Sequence, residues 1–416
     1  MKSSVAALLA VLSLLLLTGC WDRLEIEERA VVLAIAIDIA DPEDVDGQSM
    51  IQGSNRNDGA NVPVPEGKTV RVTAQIAVPG RIPLGPGGTG GSGGGGGSSG
   101  SSSSPVWVLD SYGYTIDEAI QSMQQEVADR LFFGHLRVIV VSEEYARRGT
   151  GNLSDHLRRN PEVRRLAWLV VSKEKAAEYM KTAPQLERVP ALYLLSTMDH
   201  AVQMGKYPME PIGSFWIKMS SLGQDAILPY MEIQDKNNVR LSGLAFFKGE
   251  KLVGVTNTLE IGLYMGINGT DQGGYSSYVK IPGSEETAMF RVSNRRSKTR
   301  VAIKDGRPSI EVRVNLEGNL TEASDQGKGN LNDPSDLAAI GEELSKRFSK
   351  RYEAFIREMQ EEESDIFGFG EYVRAQESAY WNRHIRTKNR WHEAFKEIDV
   401  NVVATFEARR VGQKAQ

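Results

Sequence analysis

The chain has 416 residues, of which 40% are hydrophobic and 25% are charged, a composition typical of globular proteins and sufficient for two or three domains. Its net charge is −5, which argues against nucleic-acid binding by the chain as a whole and against electrostatic binding to a membrane. Cys20 is the only cysteine, so no disulfide within the chain can stabilise the fold.

The first twenty residues have the pattern of a lipoprotein signal peptide. Lys2 precedes the uncharged apolar run Val5–Leu17, which has the length of a signal core and falls short of the ~20 residues of a spanning helix. The residues before the predicted cleavage site form a lipobox: Leu17, Thr18 and Gly19. We predict that residues 1–19 are removed and that Cys20 carries the lipid. An ordinary signal peptide with an incidental cysteine is the alternative.

Two strands and a low-complexity insertion follow. Ala30–Ile37 has the continuous apolar character of a buried strand, and Thr69–Ile76 alternates as a half-buried strand does. From about residue 83 to residue 105 the chain is nearly all glycine and serine, which predicts a disordered insertion. A formal G-x-G-x-x-G occurs there, but no strand precedes it and no helix follows it, so a dinucleotide loop is rejected.

An α/β domain is predicted for residues 20–190. Thr115 and Glu118 form a capping box that opens a helix after the insertion. Val138–Val141 and Leu166–Val171 are apolar runs of strand length, and helical segments lie between and after them. Strands that alternate with helices indicate α/β architecture.

The middle segment, residues 191–285, is predicted to be an α+β unit. Pro190–Met204 has helical apolar spacing, and Phe215–Met219 is a candidate strand. Lys248–Lys251 contains a glycine between two strand-like runs and therefore predicts a β-hairpin turn.

Residues 286–416 predict a third unit, in which a long helix packs on an antiparallel sheet. Asp333 and Pro334 are a cap and a first-turn proline at the start of that helix. Asp399–Arg409 alternates as a strand does. The predicted buried face of the helix is Leu337, Ile340, Leu344, Phe348, Tyr352, Phe355 and Met359. Trp381 and Trp391 are interpreted as core residues.

Catalytic chemistry is poorly represented, and we predict no catalytic, metal-binding or cofactor-binding residue. The five histidines form no H-x-x-x-H pair. His135, with Glu143 or Glu144 as partner, is the best candidate base, but a histidine satisfied by backbone at a strand entrance is favoured. Three arginine pairs could meet lipid phosphates or an acidic partner, although a solvated surface is the favoured interpretation: Arg147–Arg148, Arg158–Arg159 and Arg164–Arg165.

Several blocks, taken in order, resemble the Ger(x)C family, the lipoprotein C subunits of bacterial spore germinant receptors. The blocks that carry the resemblance are Gly19–Arg23 with Glu25–Glu27 and Val32–Asp38, Phe133–Ala146, Leu241–Gly254, and the C-terminal set Tyr380–Trp381, Trp391, Phe395, Val400–Val402 and Arg410–Gly412. The glycine-serine insertion departs from the family pattern.

The resemblance implies three mixed α/β domains in a non-enzymatic subunit without cofactors. It implies a lipid-anchored protein on the outer face of the inner spore membrane that assembles with integral-membrane A and B subunits and supports nutrient-triggered germination. The boundaries are expected near residues 190 and 285. An exported lipoprotein that binds a small solute, or a cell-envelope enzyme, is the alternative, although the sequence has neither matched lobes nor a catalytic set.

Overall fold

The computed structural model describes residues 29–41, 69–79, 104–184, 187–235, 237–270, 273–281, 287–323 and 334–410. In these ranges the chain forms a nine-stranded sheet and a four-stranded sheet, both covered by helices. The predicted α+β class is therefore confirmed.

The larger sheet has a parallel centre and antiparallel sides. Its strands are β1 (Arg29–Ile39), β2 (Val70–Ala77), β3 (Val106–Gly113), β4 (Arg130–Phe132), β5 (Val138–Ser142), β6 (Trp168–Ser172), β7 (Ile227–Gln234), β8 (Asn238–Lys248) and β9 (Lys251–Val255). Their order is β3-β2-β1-β5-β6-β7-β8-β9, and β4 pairs with β1. β1, β5, β6 and β7 are parallel, as expected where helices cover both faces.

Local side-chain caps position the helices of this half. The helices are α1 (Ile116–Glu126), α2 (Glu143–Arg148), α3 (Gly151–Arg159), α4 (Ala176–Tyr179), α5 (Pro190–Gln203), α6 (Ile212–Ser220) and α7 (Thr258–Ile267). Thr115 Oγ1 accepts the Glu118 N–H at 3.1 Å, which confirms the predicted start of α1. The buried Asp38 carboxylate accepts the N–H groups of Ala176 and Ala177 at the start of α4.

The prediction of a strand at Phe215–Met219 is wrong, because these residues belong to α6. Ile212, Phe215 and Trp216 are buried and have the spacing of one helix face. Short apolar runs do not distinguish a strand from a buried helix by themselves, and here the preceding Pro211 occupies the N-cap position.

Two antiparallel strand pairs of the larger sheet test predictions from the sequence. Gly249 has a φ of +58° in the turn between β8 and β9, which confirms the predicted hairpin. β2 pairs antiparallel with β3, and the Val78 N–H donates to the Pro105 carbonyl at 3.0 Å. The predicted insertion therefore joins two adjacent strand ends, and its residues 80–103 lie outside the described residues.

The smaller sheet belongs to the C-terminal part of the chain. Its strands, in spatial order, are β10 (Ser276–Lys280), β11 (Thr287–Lys304), β12 (Arg307–Ala323) and β13 (Asp399–Arg410). The first three are antiparallel, as predicted, whereas β13 is parallel to β12. Parallel neighbours need a crossover, and the helices between β12 and β13 provide it.

The crossover begins with the predicted long helix. Its elements are α8 (Pro334–Glu361), α9 (Phe369–Gln376), α10 (Ser378–Tyr380), which continues as the π-helical turn Trp381–Ile385, and α11 (Lys388–Phe395). The α8 residues Ile340, Leu344, Phe348, Tyr352, Phe355 and Met359 are buried, as predicted. Phe348 stacks on Phe406 of β13 with ring centroids 6.0 Å apart. Trp381 and Trp391 are buried, in agreement with their interpretation as core residues.

The larger sheet continues across the predicted boundary near residue 190. β6 precedes that position and β7 follows it, yet Val171 and Ser172 of β6 pair with Tyr230 and Met231 of β7. A single hydrophobic cluster also connects β8, α7 and the smaller sheet. The division into three domains stays a prediction.

Candidate functional site

The predicted lipobox, Leu17, Thr18 and Gly19, and the predicted attachment site Cys20 lie outside the described residues. The first described residue, Arg29, begins β1 nine positions after Cys20. An extended chain covers at most ~3.6 Å per residue, so about 30 Å is the largest span available between these two residues. Lipid attachment at Cys20 stays a prediction.

The candidate base His135 is not brought together with Glu143 or Glu144. His135 precedes β5, and its ring packs edge-on against Phe132, whereas both glutamates follow the other end of the strand. Burial, with the charges of Arg164 and Arg137, lowers the pKa of His135. Glu143 accepts the Tyr230 hydroxyl at 2.5 Å. These positions favour the structural interpretation of the histidine.

Most members of the three arginine pairs contact groups within the protein. Arg147, Arg148 and Arg159 form ion pairs with acidic residues four positions earlier in their own helices: Glu143, Glu144 and Asp155, respectively. Arg158 donates to the Trp216 carbonyl at 2.7 Å. The predicted solvated surface is therefore consistent with these four side chains.

A cavity of about 1060 Å³ lies where the two sheets meet, and we call it the junction cavity. Its walls come from the end of α5 and the following turn, from Leu241 of β8 and from the start of α7 on one side. Gly274–Ser276 and β11 form the other side. Junctions between structural units are frequent positions for small-molecule sites, and this volume lies at the upper end of the usual range.

The charges at the junction cavity have one sign. Its charged lining residues are Lys206, Arg291 and Arg295, and the described residues that line it include no aspartate or glutamate. Lys206 and Arg291 are exposed, whereas Arg295 is only 1% exposed. The cavity therefore combines a buried cation with two cations that water reaches.

Arg295 has little internal compensation for its charge. Its Nη2 donates to the Gly205 carbonyl at 3.2 Å, and its buried Nη1 has no hydrogen-bond partner among the described residues. Burial lowers the pKa of Arg295, and the Tyr352 hydroxyl acts in the opposite direction. Arginine nevertheless stays charged in proteins, so this guanidinium is a buried positive charge without a carboxylate partner among the described residues.

A β-bulge turns Arg295 inward. The pairing of β11 with β12 shifts between Val292 and Asn294, which places Ser293 in β11 as an extra residue. The shift brings Arg295 to the buried face of Phe290 and Val292, while Arg296 is exposed. The sequence analysis did not identify this site. The interrupted alternation was the available signal.

A second set of polar groups, the polar joint, lies between α11 and the larger sheet: Asp225, Asp365, Lys388, Trp391 and His392. Lys388 is half-buried, and the other four residues are buried. Asp225 precedes β7, accepts from His392 Nε2 at 2.9 Å and forms an ion pair with Lys388 Nζ at 3.2 Å. Burial opposes ionisation of Asp225, but the His392 hydrogen bond and the Lys388 charge outweigh it, and the pKa of Asp225 lies below its ordinary value. Asp225 is therefore an ionised carboxylate.

Asp365 is the second carboxylate of the polar joint. Its backbone N–H donates to Asp225 at 3.1 Å, and its own carboxylate accepts the Trp391 indole N–H at 2.9 Å. Burial raises the pKa of Asp365 to about 7, although hydrogen bonds from the backbone and from Trp391 favour the carboxylate. The polar joint thus holds two acids of different proton affinity.

The raised pKa of Asp365 predicts a specific pH dependence of stability. A group whose pKa is higher in the folded chain stabilises the fold fully below its unfolded pKa of 3.8, and this contribution is lost as the pH rises through about 7. We expect Asp365→Asn to lack this component. Urea unfolding at several pH values between 4 and 8 measures the free energy of unfolding, and parallel profiles for both proteins would contradict the expectation.

Within the described ranges, no group of three or more His, Cys, Asp or Glu side chains is placed to hold a metal ion. None of the helices in those ranges is long and apolar enough to cross a bilayer.

Comparison with protein families assigns both parts of the chain to one class. Residues 22–233 match the family described as spore germination protein N-terminal domain. Residues 242–412 match the family described as spore germination B3/GerAC like, C-terminal. The chain is thus a two-part spore germination protein of the GerAC type.

Individual relatives agree with this class. The chain is 25% identical to spore germination protein KC of Bacillus subtilis (strain 168), over 99% of this chain and 96% of that protein. It is 26% identical to spore germination protein B3 of the same strain, over 73% of this chain and 80% of that protein. The crystal structure of the GerBC protein superposes with a TM-score of 0.53 and 20% identity, covering 82% of this chain and 94% of that one. The chain belongs to the Ger(x)C family, as its sequence blocks predicted.

Proposed function

We propose that the protein is the lipid-anchored, non-enzymatic C subunit of a nutrient germinant receptor. It acts on the outer face of the inner spore membrane, with integral-membrane A and B subunits as partners. The observation that carries the proposal is the pair of family matches, which together extend from residue 22 to residue 412. The first match begins two positions after Cys20, where the predicted mature chain starts.

The charge and the chain geometry support anchoring by lipid. A net negative chain is not attracted to anionic lipid, so acyl chains on Cys20 supply the attachment. Because Cys20 and Arg29 are separated by about 30 Å at most, the N-terminal end of β1 stays close to the bilayer surface.

The proposed role predicts a selective germination defect. Spores that lack the gene are expected to lose most of their response to the nutrient of this receptor, because one subunit of the sensing complex is missing. Loss of optical density after nutrient addition measures the response, and the wild-type gene restores it. A nutrient-free trigger that acts downstream is the control and should work in both strains.

The alternative of an exported solute-binding lipoprotein or cell-envelope enzyme predicts a different outcome. Under this alternative, deletion of the gene changes no nutrient response, whether the other germinant receptors of the spore are present or absent. The neighbouring genes also distinguish the two functions with little effort, because the gene of a receptor subunit is expected beside two genes for membrane-embedded partners.

A further inference from the structure

The buried guanidinium of Arg295 has no compensating negative charge among the described residues. Removing a guanidinium from water is costly unless an anion or a full set of hydrogen-bond acceptors replaces the water. Within the described part of the chain, Arg295 has one acceptor, the Gly205 carbonyl. The Tyr352 hydroxyl does not balance the charge, because burial raises the pKa of Tyr352 and keeps the phenol neutral. The fold thus maintains a positive charge for which the described residues supply no counter-charge.

The position of this charge suggests what balances it. Arg295 lines the junction cavity together with the apolar residues Leu241, Tyr275 and Met289, which come from both of its sides. The exposed cations Lys206 and Arg291 also line the cavity and raise the local concentration of anions. A cavity with apolar walls and convergent cations is suited to a molecule that has both an apolar body and a negative charge.

We propose that the junction cavity binds a small anion with an apolar body, of the class of aliphatic or aromatic carboxylates, and that Arg295 is its counter-charge. The single buried guanidinium favours one anionic group over a polyphosphate. Binding exchanges the water around the ligand's apolar body for the cavity wall and gives Arg295 a charge-assisted hydrogen bond. This inference goes beyond the germination role and does not depend on lipid attachment at Cys20.

The adjacent arginines provide a matched test. Arg295 is buried at the cavity, and Arg296 is the exposed neighbour on the same strand. The mature, lipidated protein in detergent micelles is titrated by calorimetry with 2-naphthoate and with its neutral analogue 2-naphthamide. For each variant, the heat of the same titration into protein-free micelles is subtracted, which corrects for partition of the probes into detergent.

We expect saturable binding of one 2-naphthoate per chain, with much weaker binding of 2-naphthamide. Arg295→Met should weaken naphthoate binding by about tenfold or more, because a hydrogen bond to a charged partner is lost. Arg296→Met should change it less than about twofold, since exposed charges interact weakly. Equal effects of the two variants, equal affinity for the two probes, or no saturable naphthoate binding overturns the proposal.

Thermal unfolding without ligand separates binding from a purely structural role. If the unliganded protein needs Arg295 for stability, its replacement lowers the melting temperature. If Arg295 serves ligand binding and does not stabilise the unliganded fold, the Arg295→Met protein should be at least as stable as the wild type, because a buried charge has been removed. A large decrease in melting temperature for Arg295→Met, with none for Arg296→Met, therefore also overturns the proposal.

Discussion

Replacing Cys20 with alanine is expected to move the protein out of the membrane fraction or to leave it unprocessed. Cys20 is the only thiol in the sequence, so the variant has no second position for a thioether-linked lipid. Each buried methylene of an acyl chain contributes about 0.8 kcal/mol, and two chains hold a protein firmly on a bilayer.

Fractionation of cells and the mass of the mature protein measure this effect. Thr18→Ser is the matched control, because it keeps a small residue in the lipobox and leaves Cys20 in place. A Cys20→Ala protein that is still processed and still membrane-bound would show that the anchor is elsewhere. The same variant, used to complement the deletion strain, tests whether anchoring is necessary for the nutrient response.

Removing Asp225 should cause a large loss of stability. The carboxylate is fully buried, forms an ion pair with Lys388, and accepts from His392 Nε2 and from the Gly249 N–H at 3.0 Å. Asp225→Ala leaves these partners buried without their acceptor, and breaking a buried pair in this way costs about 3–5 kcal/mol. Chemical denaturation should show a clearly lower midpoint and reduced free energy of unfolding.

Asp155→Ala is the control for that experiment. Asp155 also pairs with a cation, Arg159, but its side chain is 64% exposed. Exposed pairs of this type contribute well under about 1 kcal/mol. A similar loss of unfolding free energy in the two variants would mean that burial does not strengthen the contribution of Asp225 to stability.

The sequence was informative where a structural feature depends on neighbouring residues. The N-cap at Thr115 and the glycine turn at Gly249 depend on short stretches of sequence and are confirmed. The predicted face of α8 is buried except for Leu337, which is half-buried. The Glu118 side chain accepts the Tyr114 N–H rather than the Thr115 N–H, so the capping box is only half formed. The helix α6 was predicted to be a strand, because its apolar run is short and fits the residue period of a strand as well as that of a helix.

The features that depend on distant contacts were not predictable from patterns. Asp225 and His392 are 167 positions apart, and no local spacing relates them. Arg295 lies in a polar stretch whose sequence predicts exposed residues, and the bulge at Ser293 brings its side chain to the buried face. The junction cavity combines residues from both halves of the chain, so it becomes visible only in three dimensions.

The closely spaced ends of β2 and β3 have a practical consequence. Ala77 pairs with Val106, so the intervening chain leaves and re-enters the fold at one point of the edge hairpin. Closing a loop costs only about 0.6 kcal/mol more for each doubling of its length. This position should therefore accept a fluorescent reporter in place of the glycine-serine stretch. Such a fusion would make the protein visible in single spores while both termini keep their native sequence.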